Sequence, residues 1–345
     1  MSDSREKFKD ILGKVAGGDV LSFEEAESAF EIMMSGDATP AQTGGLLMAL
    51  RTRGETVDEI TGAATIMRAK ATHISAPDNA MDIVGTGGDR SGTYNISTCT
   101  ALVTAGCSIP IAKHGNRAAT SKSGAADVLS ALGVNLDADF PLLEKALQEA
   151  GICFMMAQRH HGAMRNIMPT RIELGTPTIF NILGPLSNPA GVKRLLVGTY
   201  LPKWVRPMAE TLGRLGAERV WVVHGSDGLD ELTTTGPSHV CEYDNGDIRE
   251  FELTPEDAGL PLADSKDLKG GDADYNAAAI RAVLSGEPGA YRNIVLYGAA
   301  AALMIVGRTS DLKEGVAIAS DAIASGRAQS CLDKLVAITN ETNHE

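Results

Sequence analysis

The chain lacks an apolar run long enough to cross a bilayer, lacks paired cysteines and lacks net positive charge, and each absence removes a class of function. Its longest apolar stretch, YGAAAALMIV at 297–306, is roughly half of the ~20 residues that a spanning helix requires. The opening MSDSREKFKD is polar and charged, so nothing there is expected to direct the chain to a membrane or out of the cell. A cytoplasmic protein with no membrane partner is expected. Cysteines 99, 107, 153, 241 and 331 are odd in number, scattered and free of any C-x-x-C spacing, so neither a disulfide framework nor a zinc site is suggested. A formal charge of −13 argues against a general nucleic-acid or anionic-membrane surface, so any basic cluster must be local and have its own cause. No H-E-x-x-H and no G-x-S-x-G occur, and His160 and His161 have no partner at i, i+4. Those two histidines are expected to pack or to line a pocket, and covalent catalysis from a nucleophile elbow is set aside.

What is present is an ordinary globular composition, 43% hydrophobic and 22% charged over 345 residues, enough for two domains. Three capping boxes open the chain: Ser22 with Glu25, Thr39 with Gln42 behind Pro40, and Thr56 with Glu59. Apolar residues follow each at helical spacing, such as Ala26, Phe30 and Met33, or Ile60, Ala63, Ala64 and Met67. The first 74 residues are therefore read as an all-helical domain, chemically bland and suited to packing or pairing. From about residue 75 short apolar runs alternate with helical ones. Strands are expected at Met81–Val84, Ile109–Ala112, Cys153–Met156, Leu195–Thr199 and Val220–Val223. Such alternation predicts a mostly parallel sheet covered by helices, with ligands at the carboxyl ends of the strands. The proline-rich stretch 168–191 interrupts the series and is expected to pack back on the N-terminal helices, while 254–274 reads as an exposed connection.

Three loops carry candidate chemistry. The first, DIVGTGGDRSGTYNIST at 82–98, is strand, glycine turn and helix start, an arrangement whose backbone N–H groups bind an anion. It fits neither standard nucleotide motif, because Arg90 stands where a dinucleotide fingerprint needs glycine and Thr93-Tyr94 where a Walker loop needs Lys-Ser/Thr. The second, KHGNRAATSKSG at 113–124, crowds Lys113, Arg117 and Lys122 beside His114 with small residues between them. On a neighbouring parallel strand it would bridge a ligand with more than one phosphate; a solvated charge cluster is the alternative. The third, HGSDGLDE at 224–231, ends in Asp230 and Glu231. Adjacent acids in a loop can hold Mg²⁺ with water and phosphate oxygens, and Ser97 can add a hydroxyl; taken alone, such a pair is more often a solvated surface feature.

With these residues in view the sequence closely resembles the anthranilate phosphoribosyltransferases. The resemblance runs to about residue 330 and rests on GTGGD at 85–89, NIST at 95–98, KHGNR at 113–117, SKSGAADVL at 121–129, AMRN with PTRIELGTPTIFNILGPLSNPAG at 163–191, and DGLDE at 227–231. It implies a helical domain (1–74, with 168–191 on it) and a larger α/β domain (75–345) of the nucleoside phosphorylase and phosphoribosyltransferase kind, with the site between them. It implies that Gly85, Gly88, Asp89, Thr93, Asn95, Ile96, Ser97 and Thr98 surround 5-phosphoribosyl-1-pyrophosphate (PRPP), with Lys113, His114, Gly115, Asn116, Arg117, Ala118, Ala119, Thr120 and Ser121. Ser97, Asp230 and Glu231 would hold two Mg²⁺ ions per subunit. Gly85, Asn116 and Arg171 would receive anthranilate, with His114 and Pro185 lining its path. A homodimer joined through the helical domain is implied too.

Departures from the family pattern are Tyr94 for phenylalanine or leucine, Ala119-Thr120 for Val-Ser, and Tyr297-Gly298 for Leu-Asn. The last bears on packing in a late helix. No side chain stands out as an essential base: an aromatic amine is neutral near pH 7, so positioning and stabilisation of departing pyrophosphate suffice. Two rivals remain at this stage. A pyrimidine nucleoside phosphorylase would lack both the acid pair and KHGNR, and a nucleic-acid-binding relative would show a broad basic surface.

Overall fold

A computed structural model describes residues 2–117 and 122–341. Four helices open the chain: α1 (Ser2–Ala16), α2 (Phe23–Met34), α3 (Pro40–Arg53) and α4 (Val57–Ala69). All three expected capping boxes form, each with the serine or threonine side chain accepting from the N3 amide and the N3 side chain returning to the cap amide. The sequence reading passed over α1, whose Phe8, Ile11 and Val15 fall on one buried face despite its charged surroundings.

The α/β part begins at β1 (Met81–Gly85) and continues α5 (Ile96–Gly106), β2 (Ile111–Gly115), α6 (Ala125–Ala131), α7 (Phe140–Glu149), β3 (Ile152–Met156) and α8 (Ala157–His160). After α9 (Met168–Leu174) and α10 (Phe180–Leu183) come β4 (Arg194–Gly198), α11 (Val205–Arg214), β5 (Arg219–Gly225), β6 (Ser238–Asp244) and β7 (Asp247–Leu253). Helices α12 (Ala273–Leu284), α13 (Ala290–Ile305), α14 (Leu312–Ala324) and α15 (Arg327–Thr339) complete it. The sheet order is β3-β2-β1-β4-β5-β6-β7. The first five strands are parallel, as the alternation required, and β6 and β7 are antiparallel.

Two differences from expectation have physical causes. β2 begins at Ile111 and runs through Gly115, because Pro110 can donate nothing to the ladder and Lys113 and His114, polar in the sequence, are buried strand residues at 2% and 3% exposure. The β6–β7 hairpin went unread although Asn245-Gly246, with φ of 47° and 112°, is the turn signal for it. Its strands alternate charge with apolar residues, and the charges masked the period.

Stretch 168–191 lies against the N-terminal helices. Phe180 meets Phe30 edge to face at 5.7 Å, and Arg51 of α3 donates to the Thr176 hydroxyl at 2.6 Å. Arg68 of α4 donates to the carbonyls of Leu186 at 2.7 Å and Leu215 at 3.0 Å, so one side chain ties α4 both to the returning segment and to the end of α11. Helices α2 and α4 approach closely at Gly62, where a Cβ would stand 2.8 Å from both the Ala26 Cβ and the Phe23 carbonyl oxygen. Gly62→Ala should lower stability, because overpacking of about 1–3 kcal/mol exceeds the ~1 kcal/mol that alanine gains in a helix. The midpoint of urea denaturation measures it, and an unchanged or higher midpoint would show that the helices can move apart freely.

Candidate functional site

The site is built where β1 and β4 end. Their last residues, Gly85 and Gly198, are paired in register. A Cβ on Gly85 would lie 2.3 Å from Asp230 Oδ2, and one on Gly198 would lie 1.6 Å from the Asp230 carbonyl oxygen. The loop after β5 therefore rests directly on two bare strand ends. Asp227 shapes that loop: its Oδ1 accepts from the Leu229 amide at 3.2 Å, and its Oδ2 accepts from the Thr233 and Thr235 hydroxyls at 2.7 Å each.

From this seat the adjacent acids reach different loops. Asp230 Oδ2 accepts from the Gly87 amide at 2.7 Å, and Glu231 Oε1 accepts from the Ser97 amide at 3.0 Å. The second bond occupies a first-turn N–H of α5 that Asn95, which makes no capping bond, leaves open. Gly87 and Gly88 have φ of 65° and 83°, so the turn between the acids and α5 uses backbone conformations that favour glycine.

Charge is unevenly compensated here. The Lys113 ammonium donates to the Ile83 carbonyl at 2.5 Å and approaches Ser97 Oγ at 3.4 Å. Burial pulls its pKa below the usual lysine range, against the pull of Asp82, Glu231 and Asp230. Burial first, and Asp89 next, push the Asp230 carboxyl up to about 7; burial and then Asp230 push Glu231 up to about 8. Both residues keep some accessible surface, but their carboxyl groups lie among protein atoms, and that enclosure desolvates them. Two acids held out of water beside one lysine favour a proton or a cation. Among the described residues no group of three or more His, Cys, Asp or Glu side chains converges to enclose a metal. A divalent ion seated on Asp230, Glu231 and the Ser97 hydroxyl would draw its remaining ligands from water and phosphate, the habit of Mg²⁺.

On the other side of β2, Asp82 fixes the approach to His114. The fully buried Asp82 accepts from the His114 amide at 3.1 Å and from Asn188 Nδ2 at 2.8 Å, and Asn188 also donates to the Ala112 carbonyl at 2.9 Å. His114 Nδ1 lies 3.2 Å from the Gly184 carbonyl, and its ring is 5.1 Å from that of His161. Burial first, and His161 and His160 after it, hold His114 down to about 3. It is a neutral imidazole at physiological pH. Two signals in the chain mark this network, an acid inside the apolar run AMDIV and an asparagine after LGPLS, and sequence reasoning missed both.

Other expected site residues are spread more widely. Asn116 and Arg117 are exposed at the end of β2, where Arg117 pairs with Asp127 at 3.1 Å. Gly115 has Phe154 2.8 Å from where a Cβ would be. Ile96 and Thr98 are buried in the first turn of α5, Pro185 is buried after α10, and Thr93 bridges to Lys269. Arg171 on α9 reaches only the Met168 sulfur at 3.7 Å and the Phe180 ring at 5.5 Å, with no carboxylate partner among the described residues. Burial lowers its pKa. Ala118, Ala119, Thr120 and Ser121 lie outside the described residues. In the late helix Tyr297 is fully buried with its hydroxyl unpartnered among the described residues, and Gly298 leaves room for Thr100 of α5, whose Cγ2 would be 3.0 Å from a Cβ.

A mostly parallel sheet with a glycine loop and an acid pair at its carboxyl edge, joined to a helical bundle, fits a two-domain glycosyl transferase. Residues 77–329 match the description "Glycosyl transferase family, a/b domain" and residues 9–71 "Glycosyl transferase family, helical bundle domain". The chain is 60% identical to the anthranilate phosphoribosyltransferase of Paramagnetospirillum magneticum over 97% of both chains. It is 61% identical to that of Rhodospirillum rubrum, over 96% of this chain and 95% of the relative. The crystal structure of the enzyme of that name from Thermus thermophilus superposes with a TM-score of 0.91 at 44% identity, covering 96% of this chain and 100% of the other. The Saccharomyces cerevisiae enzyme, solved in complex with PRPP and Mg, gives 0.88 at 26% identity over 96% and 97%. The chain belongs to the anthranilate phosphoribosyltransferase family.

The Asp82 carboxyl is pushed up from 3.8 to about 6 by burial, against the pull of Lys113. The folded chain thus binds this proton more tightly than the unfolded chain, so its contribution favours folding at low pH and is lost as pH rises through about 6. Relative to Asp82→Asn, the wild-type chain should lose on the order of 3 kcal/mol between pH ~4 and ~6 and then hold level. Urea unfolding of both proteins across that window tests it; a difference independent of pH would mean that Asp82 is not desolvated.

Proposed function

We propose that the chain transfers the 5-phosphoribosyl group of PRPP to the amine of anthranilate, the second step of tryptophan biosynthesis from chorismate. The bond from the ribose C1 to pyrophosphate breaks, a C1–N bond forms, and the amine proton leaves to solvent, giving N-(5-phosphoribosyl)anthranilate and pyrophosphate. The observation that carries this reading is the pair of hydrogen bonds from Gly87 to Asp230 and from Ser97 to Glu231, which couples an acid pair to the glycine loop and to the start of α5.

In this reading Gly85, Gly88, Asp89, Thr93 and Asn95 to Thr98 receive PRPP together with Lys113 and the loop after β2. Lys113, whose charge the nearby acids favour against burial, stands near the departing pyrophosphate, and the N-terminus of α5 adds an oriented dipole. Ser97, Asp230 and Glu231 hold Mg²⁺, two ions per subunit, and the deep acid pair suits that donor set. When bound, Mg²⁺ neutralises charge on the leaving group. Arg171, a half-covered guanidinium without an acid partner among the described residues, receives the anthranilate carboxylate, with Asn116 beside it and His114 and Pro185 along the approach. A neutral His114 lines that path without repelling or protonating the amine. No general base is required, since the amine is already neutral and the work is alignment.

A homodimer through the helical domain belongs to the same proposal; Val20, Met168 and Ile172 leave apolar surface exposed there at 54%, 40% and 71%. So does a cytoplasmic location, in keeping with five cysteines that form no disulfide. Among the described residues no helix is long and apolar enough to cross a membrane.

Loss of anthranilate fluorescence on mixing purified protein with PRPP tests the reaction: a loss that requires Mg²⁺ is expected, and none would reject it. Replacing Asp230 and Glu231 together by alanine should remove nearly all turnover and its magnesium dependence; a fully active double variant would take the metal site out of the scheme. Arg171→Ala should raise the anthranilate KM roughly tenfold or more, the scale of a lost charge-assisted hydrogen bond, and leave the PRPP KM nearly unchanged. Equal effects on both would contradict its assignment.

A further inference from the structure

The glycine loop is held from a second side, by the segment before α12 that the sequence suggested was an exposed connection. The Tyr94 amide donates to the Leu268 carbonyl at 3.1 Å, and the Gly270 amide donates to the Gly92 carbonyl at 2.9 Å. Thr93 forms an antiparallel bridge with Lys269, whose ammonium donates to the Ser91 carbonyl at 2.5 Å. No side chain fits at 270, where a Cβ would stand 2.5 Å from the Thr93 carbonyl oxygen. Residues 268–276 thus run along the loop as a strap.

Side chains reinforce the backbone contacts. Asn276 Nδ2 donates to Asn95 Oδ1 at 2.9 Å while its own Oδ1 accepts from the Gly271 amide at 2.8 Å, and the Tyr291 hydroxyl donates to the Asn95 carbonyl at 3.1 Å. The Tyr94 ring stacks on Tyr291, centroids 4.4 Å apart and 18° from parallel, and on Tyr275 at 5.9 Å and 8°. The Tyr94 and Tyr275 hydroxyls are 3.3 Å apart. Tyr275 is 55% exposed on α12 and is itself fixed by its amide donating to Asp272 at 2.9 Å. A loop with Gly87, Gly88, Arg90 and Gly92 all at positive φ has much freedom to lose on gripping a phosphate. Stacked rings at its C-terminal end remove part of that freedom before the ligand arrives.

We propose that Tyr275, acting through Tyr94, is a positioning residue for PRPP, and that the 268–276 strap presets the glycine loop. The proposal rests on the PRPP reading given above.

The test compares wild type, Tyr275→Ala and Tyr275→Phe in steady-state kinetics for each substrate, thermal unfolding, and amide hydrogen exchange of residues 86–95 in the free enzyme. Tyr275→Ala should raise the PRPP KM about three- to tenfold, as loss of an aromatic pair would. It should leave kcat at saturating PRPP and the anthranilate KM near wild type, and should speed exchange in the loop. Tyr275→Phe keeps the ring stack and should restore the PRPP KM to near wild type. An unchanged PRPP KM in Tyr275→Ala overturns the proposal. A loss shared by kcat and both KM values, with a lower unfolding temperature, also overturns it, since that marks a general structural role. Wild-type protein that does not consume anthranilate with PRPP would instead defeat the proposed function. Loop exchange in Tyr275→Ala then decides the strap alone, faster exchange supporting it and unchanged exchange rejecting it.

Discussion

Space at two strand ends governs this site. Gly85 and Gly198 sit side by side at the carboxyl ends of β1 and β4, and neither can carry a Cβ without striking Asp230. Because both positions are bare, the loop after β5 drops onto the sheet edge instead of arching over it. That descent brings Asp230 within hydrogen-bond range of Gly87 and Glu231 within range of Ser97. The glycine loop, the start of α5 and the acids are thereby fixed relative to one another by packing against rigid strands, and Asp227 keeps the descending loop in shape through two threonine hydroxyls. Precision in such a constellation comes from the scaffold beneath it.

Electrostatics then sets what that geometry can hold. Lys113 is embedded in a strand, bonded to the Ile83 carbonyl, and its charge is shared among Asp82 on one side and Asp230 and Glu231 on the other. One lysine does not balance three nearby acids. Burial holds Asp230 and Glu231 toward their protonated forms, so the pair favours a proton or a divalent ion in its place. His114, one residue further along the strand, stays neutral because burial and two neighbouring histidines oppose its protonation. Opposite faces of one short strand thus carry an ammonium facing the acid pair and an uncharged imidazole facing the other histidines.

Much of this was legible in the chain. The capping boxes located α2, α3 and α4, and four of the five expected strands lie within a residue or two of their observed limits. The glycine turn, KHGNR and DGLDE could each be placed after a buried strand, but their reading as a phosphate and metal site came from the family resemblance, since an adjacent acid pair taken alone is more often a solvated surface feature. What escaped reading were features whose signal depends on partners distant in sequence. Lys113 and His114 looked like loop residues because buried polar groups are rare in strands, yet Asp82 and Asn188 satisfy the backbone there. Residues 254–274 looked like a solvated connection because their composition is polar and glycine-rich. In the structure that glycine content permits close approach to Thr93. The β6–β7 hairpin was hidden by its charges.

Those charges have a consequence of their own. β7 closes one side of the sheet, and its outward residues Asp247, Arg249, Glu250 and Glu252 stud an edge that would otherwise offer unpaired amides and carbonyls to any extended chain. An incoming strand would have to bury those groups, at a cost of several kcal/mol for each charge left without a partner. The sheet therefore stops at seven strands, and a chain synthesised beside others still unfolded is guarded against growth into fibres by this hairpin.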